Sequence, residues 1–320
     1  MKRFRKILVS VNATNTDEQP HALVRAIRLA KDTGAELLVV DVLNTLPHYV
    51  QSIFLRDEAD DVLADELASN LDRLCHGKDT EGLKITTRVL RGRPIRELIR
   101  TVEEESCDLL IRNVSGANEP GNLFFGSLDM RLIRNCPCPV WLVKPRPAMF
   151  ERVLAAIDPL PESREEEKQN ERIIDLAASL ADWEDGQVFA VAAWQVRGEP
   201  LLVTKMAPER FKEHVDEIAV TARTHFRNAM RSTELAPVKA NQRFEAGEPS
   251  EVIRKYAQEI DADVIVMGTL ARTGIPGLLI GNTAERVLRQ VRSSVLTIKP
   301  KDFVSPVIAD LLDAGDLYAG

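Results

Sequence analysis

Small and hydroxyl-bearing residues gather at two places where the sequence predicts that a helix begins. Gly281 is followed by Asn282 and Thr283, and Gly126 is followed by Ser127. Glycine lets a ligand approach the backbone, and the free N–H groups at the positive end of a helix dipole bind anions. Both places are therefore candidate sites for a phosphate or a similar anion.

Other residues complete these two candidate sites. Asp158 follows a short apolar run in the second half of the chain, and Asn12 has the corresponding place in the first half. Each side-chain oxygen would serve a ligand or would simply cap the segment that follows. The remaining candidates are Gly268, Ala271 and Arg272 in the second half and Gly116 in the first. For the glycines, the alternative is a strand-to-helix turn that needs small residues whatever binds there; for Arg272, it is a solvated loop cation.

Groups that would carry catalysis do not stand out. We find no nucleophile with its base, no paired carboxylates and no cluster at metal-ligand spacing. The acidic runs at 57–61 and 165–167 suit solvated helix starts. Cys136 and Cys138 fit small residues that lead into a buried strand. The sequence favours a protein that is not an enzyme and holds no metal.

Charge and hydropathy exclude two further classes. The net charge of -7 is the wrong sign for a protein that holds phosphate backbones, so we expect no direct nucleic-acid partner. No apolar run approaches the roughly 18 to 20 residues that cross a bilayer. The apolar stretch Ile7–Val11 is also too short for a signal-peptide core. We expect a cytoplasmic protein without a membrane association.

The elements that position the candidate residues occur twice. Gly92 aligns with Gly247 and Gly126 aligns with Gly281 at a constant offset of 155 residues. At the start of each copy the offset is 146, where Lys6–Asn12 aligns with Arg152–Asp158. The repeat predicts two domains, 1–146 and 152–301. An acidic tail follows at 302–320, which we expect to lie over the second copy or to hang free.

Hydrophobic patterns in each copy alternate between strand and helix. Ile7–Val11 and Glu36–Leu43 are near-continuous apolar runs of strand length, whereas Leu23, Ala26, Ile27 and Ala30 recur at helical spacing before Gly34, a helix stop. Alternating strands and helices with such apolar strands indicate a parallel sheet with helices on both faces. The fold class is therefore α/β.

Two motifs resemble a known family. They are MGTLARTGIPGLLIGNTAE (Met267–Glu285) and RNCPCPVWLVK (Arg134–Lys144). With the repeated order of elements, they resemble the universal stress protein family, and within it the tandem E type. The resemblance extends from Lys6 to Lys301. It implies two tandem Rossmann-like domains, each a five-stranded parallel sheet with helices on both faces.

The resemblance also implies a nucleotide site. Nucleotide-binding members carry an Asp at the end of the first strand and the signature G-x2-G-x9-G-[ST]. The second copy keeps Asp158, Gly268 and Gly281, but has Ala271 for the second glycine and Asn282 for the hydroxyl residue, with Thr283 next. The first copy keeps Gly116, Gly126 and Ser127, but has Asn12 for the Asp and Asn113 for the first glycine. ATP is thus a candidate cofactor of the second domain, and the first domain has a degenerate motif.

Three functional hypotheses follow. The first is a cytoplasmic stress-response protein, a non-enzymatic ligand sensor or interaction module with an unknown protein partner, that supports resistance to DNA-damaging or other stress. The second is an ATP-binding switch that acts through the second domain. The third is a carrier or sensor of a hydrophobic, lipid-like molecule. It rests on the apolar segments Thr45–Phe54 and Pro200–Met206, for which core covering is the alternative. The resemblance further implies an internal pseudo-dimer of the two domains and pairing of chains into a homodimer.

Overall fold

The computed structural model describes residues 4–14, 20–44, 56–114, 125–145, 151–183, 185–231, 241–269, 280–301 and 303–313. Two compact units divide the chain. One comprises Met1–Ala148 together with Asp302–Gly320, and the other comprises Met149–Lys301. We call them the first and the second domain.

The first domain is built on a parallel sheet. Its strands are β1 (Lys6–Ser10), β2 (Glu36–Leu43), β3 (Ile85–Arg91), β4 (Leu109–Asn113) and β5 (Val140–Val143), in the order β3-β2-β1-β4-β5. Its helices are α1 (His21–Thr33), α2 (Arg56–Cys75), α3 (Pro94–Glu104) and α4 (Ser127–Asn135). Ile7, Leu8 and Val9 are all fully buried. Because successive strand residues point to opposite faces, both faces of β1 are covered.

The second domain has the same plan. Its strands are β6 (Arg152–Ile157), β7 (Gln187–Trp194), β8 (Asn241–Ala246), β9 (Val264–Gly268) and β10 (Ser294–Ile298), all parallel, in the order β8-β7-β6-β9-β10. Its helices are α5 (Arg164–Trp183), α6 (Glu199–Lys205), α7 (Pro208–Arg231), α8 (Pro249–Glu259) and α9 (Asn282–Gln290). The predicted α/β class with a parallel sheet is confirmed.

The offset of 155 residues holds for the elements themselves. It relates α3 to α8, β4 to β9 and α4 to α9 without a change of length. Gly92 and Gly247, just before α3 and α8, have φ angles of 143° and 151°, which side chains with a Cβ rarely adopt. The two copies therefore turn from strand to helix in the same way.

The predicted helix stop at Gly34 is confirmed. Gly34 has a φ of 72° and donates its N–H to the carbonyl of Ala30, which is a left-handed helix end. Two residues then lead from α1 into β2, which pairs in parallel with β1.

The C-terminal segment differs from the expectation. Residues Pro306–Asp313 form α10, which contacts α3 of the first domain. Ile308 and Leu311, three residues apart on one helix face, are buried. Residues Pro306–Asp313 thus pack on the first domain, which the sequence analysis did not expect.

Core covering does not explain the apolar segment Pro200–Met206. Most of it forms α6, which has no buried residue, and Leu201 and Val203 are more than half exposed. The companion segment Thr45–Phe54 lies outside the described residues. No helix within the described ranges is both long and apolar enough to cross a bilayer.

Candidate functional site

Asp158 and Asn12 both bind the backbone that follows them. Asp158 Oδ1 accepts a hydrogen bond from the N–H of Leu160 at 3.0 Å. Asn12 Oδ1 accepts hydrogen bonds from the N–H and the hydroxyl of Thr14 at 3.1 and 2.6 Å. The capping alternative is therefore present at both positions, and it holds each side chain in place beyond the carboxyl end of the first strand of its domain.

A buried asparagine fixes Asp158 from the other side. Asn170 of α5 accepts from the N–H of Asp158 at 3.0 Å and donates to its carbonyl oxygen at 2.7 Å. These two hydrogen bonds pair the backbone N–H and C=O of Asp158 as a neighbouring strand would, and they hold the end of β6 next to α5. The motif analysis missed Asn170, because a polar residue in the first turns of a helix has no distinctive pattern.

Gly268 makes room for another side chain of α5. A Cβ at Gly268 would lie 2.7 Å from Gln169 Nε2, which is too close for atoms that are not bonded. Gln169 is buried and donates to the carbonyl oxygen of Ile298 at 3.1 Å, where β10 ends. Gly268 thus leaves room for the amide of Gln169, which would have to move if residue 268 carried a side chain.

Asn113 has a structural role in the first domain. It stands where the second domain has Gly268, and its Oδ1 accepts from the N–H of Ala22 at 2.7 Å. Ala22 lies in the first turn of α1, whose backbone N–H groups have no partner inside the helix. Asn113 therefore caps α1 with its side-chain oxygen. A ligand bound at this position would otherwise contact that atom.

A buried ion pair occupies the start of α4. Asp129 is fully buried; its Oδ2 accepts from the N–H of Gly126 at 2.9 Å, and its Oδ1 lies 3.2 Å from Nε of Arg112. Burial lowers the pKa of Arg112, while Asp129 and Asp41 act in the opposite direction. The first domain thus places a negative charge at the start of α4, which disfavours an anion there. Ser127 is exposed beside this pair.

The start of α9 differs from that of α4 at the same two positions. Met267 and Ala284 replace Arg112 and Asp129 at the offset of 155, so neither the cation nor the carboxylate is repeated. Gly281 donates its N–H to the carbonyl oxygen of Thr269 at 2.8 Å and precedes the helix in an extended conformation. Asn282 is exposed and Thr283 is half-buried at the first positions of α9. Ala271, Arg272 and Gly116 lie outside the described residues.

An open cavity of about 280 Å³ lies at the same edge of the second domain. Its lining begins at Leu160 and Pro161, two and three residues after Asp158, and includes Ile218 of α7. Polar lining comes from Glu162, Gln195, Arg197, His214, Thr221 and His225. Arg197 is 3.2 Å from Glu162, and both side chains are more than half exposed. An exposed ion pair is weak, so Arg197 is available to a ligand that carries an anionic group beside an apolar part.

No metal site emerges from the described ranges. Within them, no group of three or more His, Cys, Asp and Glu side chains is arranged to hold a metal ion.

Comparison with known proteins agrees with this architecture. The model of the universal stress protein family matches residues 3–144 and again residues 149–299. The chain belongs to the universal stress protein family. Two copies of the family's domain follow each other along the chain, as the repeat predicts.

Relatives of the same length support the resemblance to the tandem E type. Universal stress protein E of Escherichia coli K12 is 28% identical over 97% of this chain and 98% of its own length. The Universal stress protein E homolog of Haemophilus influenzae is 25% identical over 93% of this chain and 98% of its own. A crystal structure of a functionally unknown protein from Pseudomonas aeruginosa PAO1 superposes with a TM-score of 0.67 at 28% identity, covering 98% of this chain and 97% of that one.

The sequence held a signal for Arg112 and Asp129 that the motif analysis did not use. Both are charged at positions where the second copy has apolar Met267 and Ala284. One position is on a strand and the other is on the helix that follows it. When both are charged in one copy and apolar in the other, a buried ion pair is indicated.

Proposed function

We propose that this family member is a non-enzymatic stress-response protein whose second domain senses a small ligand, while its first domain has the corresponding edge closed. One observation carries the proposal. The carboxylate of Asp129 places a negative charge at the start of α4, where it accepts from the N–H of Gly126, and the corresponding helix α9 has Ala284 in its place. The second domain also has the cavity lined by Leu160 and Pro161, which offers room for the larger part of a ligand.

ATP is the ligand that these features favour. A triphosphate carries several negative charges for the positive end of α9, where Asn282 and Thr283 offer side-chain donors in addition to the backbone. Asp158 would serve as an acceptor for sugar hydroxyl groups. Gln169 of α5 lies beside Gly268 and would limit how closely a ligand approaches Gly268 from that side. The bound ligand would therefore contact the side-chain amide of Gln169. Binding would then bias the affinity for a protein partner.

The hydrophobic-carrier hypothesis has less support. The cavity has Glu162, Arg197 and two histidines in its lining, and burying such groups against a purely apolar ligand costs free energy. The exposed apolar side chains of α6 suit contact with a protein as well as with a lipid-like molecule.

A charge placed at the start of α9 tests the proposal. Asn282→Asp changes one exposed side chain by an oxygen for a nitrogen and adds a negative charge in the first helical turn. We expect ATP affinity to fall at least about tenfold, because the carboxylate repels the phosphates while the dipole keeps the helix stable. Isothermal titration calorimetry on the full chain measures the change.

Ser127→Asp is the matched control, because Ser127 is the exposed counterpart of Asn282 at the start of α4. It should leave ATP affinity within a factor of two. Equal weakening in both variants, or no saturable ATP binding by the parent protein, would contradict the ATP assignment.

Four further properties stay predictions of the resemblance. They are a cytoplasmic location, resistance to DNA-damaging or other stress, pairing of the two domains as an internal pseudo-dimer, and pairing of chains into a homodimer. They are consistent with a sensor that passes its state to a partner, and none of them is needed for the ligand test above.

A further inference from the structure

Three buried thiols lie together in the first domain. Cys136 and Cys138 have their Sγ atoms 3.5 Å apart, which is direct contact. Cys107 is near enough for its charge to raise the pKa of Cys138. All three residues are less than a tenth exposed. The fourth cysteine, Cys75, is buried in α2.

The second copy shows that packing does not require thiols at these positions. At the offset of 155, Cys107, Cys136 and Cys138 correspond to Ala262, Val291 and Ser293, which are also buried. A methyl, an isopropyl and a hydroxymethyl group complete the same region of the fold there. The sulfur atoms of the first copy therefore add a chemical property that the architecture does not need.

Two prolines hold the sulfurs of Cys136 and Cys138 as neighbours. Each cysteine precedes a proline, which favours an extended backbone, and Cys136 has φ and ψ angles of -68° and 131°. Pro137 between them has a restricted φ angle. The N–H of Cys136 donates to the carbonyl oxygen of Leu132, which fixes the end of α4. Little backbone freedom remains to separate the two sulfurs.

We propose that Cys136 and Cys138 form a reversible disulfide when the protein meets hydrogen peroxide. In the first step the sulfur of Cys138 attacks one peroxide oxygen, so that an S–O bond forms and the O–O bond breaks. The departing hydroxide takes the thiol proton and leaves as water. That sulfur is now a sulfenic acid, oxidised by two electrons.

The second step joins the two cysteines. The sulfur of the second thiol attacks the sulfenic sulfur, an S–S bond forms, the S–O bond breaks, and hydroxide leaves with the second thiol proton as water. Two thiols and one peroxide thus give one disulfide and two waters.

Burial sets the relative rates of the two steps. It raises the pKa of Cys138 well above its usual value, and the hydrogen bond with Cys136 acts in the same direction. The thiolate that attacks peroxide is therefore scarce at neutral pH, and the first step is slow compared with an exposed cysteine. The second step is fast because the sulfurs are already in contact, so the sulfenic acid is captured before peroxide oxidises it further.

Mass spectrometry of the folded full-length chain tests the proposal. Peroxide at rising pH should lower the intact mass by about 2 Da for the two lost hydrogens, and dithiothreitol should reverse the change. Peptide mapping should place the link between Cys136 and Cys138. Cys136→Val, which copies the second domain, should abolish the link and raise trapping of the sulfenic acid on Cys138 by dimedone at least tenfold. Cys75→Ser, at a buried thiol elsewhere, should behave like the parent protein.

Three results would overturn the proposal. One is a link that joins Cys107 to either of the other two. Another is accumulation of sulfinic acid on Cys138 in the parent protein without a disulfide. The third is a folded chain that stays reduced at every peroxide concentration, although the same thiols oxidise after unfolding in denaturant.

Discussion

Replacing Asp129 with alanine is expected to lower the free energy of unfolding of the first domain by about 3–5 kcal/mol. Asp129 is fully buried, lies 3.2 Å from Nε of Arg112 and also accepts from the N–H of Gly126. The variant keeps Arg112, whose side chain is only 15% exposed, but removes the nearest carboxylate, so that much less of the desolvation cost of the cation is offset. Denaturant unfolding followed by circular dichroism measures the change, with the two domains analysed as separate transitions.

The second domain supplies the control for this prediction. Arg112→Met combined with Asp129→Ala reproduces Met267 and Ala284, so the double variant should recover most of the lost stability. Asp61→Ala removes the exposed partner of Arg91 at 2.8 Å and should cost less than about 1 kcal/mol. Two results would show that the pair is not buried as described. One is an unfolding free energy of Asp129→Ala within about 1 kcal/mol of the parent protein, and the other is a double variant no more stable than Asp129→Ala.

Replacing Asp263 with alanine should destabilise the second domain by about 2–4 kcal/mol. Its Oδ2 accepts from the N–H groups of Glu151 and Arg152, both at 3.0 Å, where β6 begins. Asp108 does the same at the start of β1, with the N–H groups of Arg5 and Lys6 at 2.8 and 3.2 Å. Asp108→Ala should therefore destabilise the first domain, by less than Asp263→Ala because its site is more exposed. The same unfolding experiment gives both values.

Asparagine variants separate charge from hydrogen bonding at these two positions. Asp263→Asn keeps an oxygen acceptor of the same size and should lose about half as much stability as Asp263→Ala. If asparagine and alanine are equally destabilising, the charge and not the hydrogen-bond geometry carries the effect. If alanine changes neither domain by more than about 0.5 kcal/mol, the account of these aspartates is wrong.

The repeat made much of the fold predictable. Buried strands such as Ile7–Val11 and the helix stop at Gly34 follow from local patterns, and the offset of 155 carries each assignment from one copy to the other. The alignment of Gly92 with Gly247 is matched in the structure, where both glycines have positive φ angles just before a helix.

The rest depends on contacts between distant parts of the chain. Gln169 meets Ile298 across 129 residues, and Asn170 reaches back to Asp158, so no local pattern predicts either contact. The sequence left the C-terminal segment either over the second copy or free, and no local pattern predicts that α10 packs on α3. The pairing of Arg112 with Asp129 is visible only when the two copies are compared position by position.

Hydrogen exchange of the full chain with and without ATP tests most directly whether the second domain is the ligand sensor. The account predicts slower exchange on ATP addition at the backbone N–H groups of Asn282 and Thr283 and around Leu160, with no change at the start of α4. Protection at Ser127 and its neighbours, or equal protection at α4 and α9, would contradict the claim that Asp129 closes the first domain.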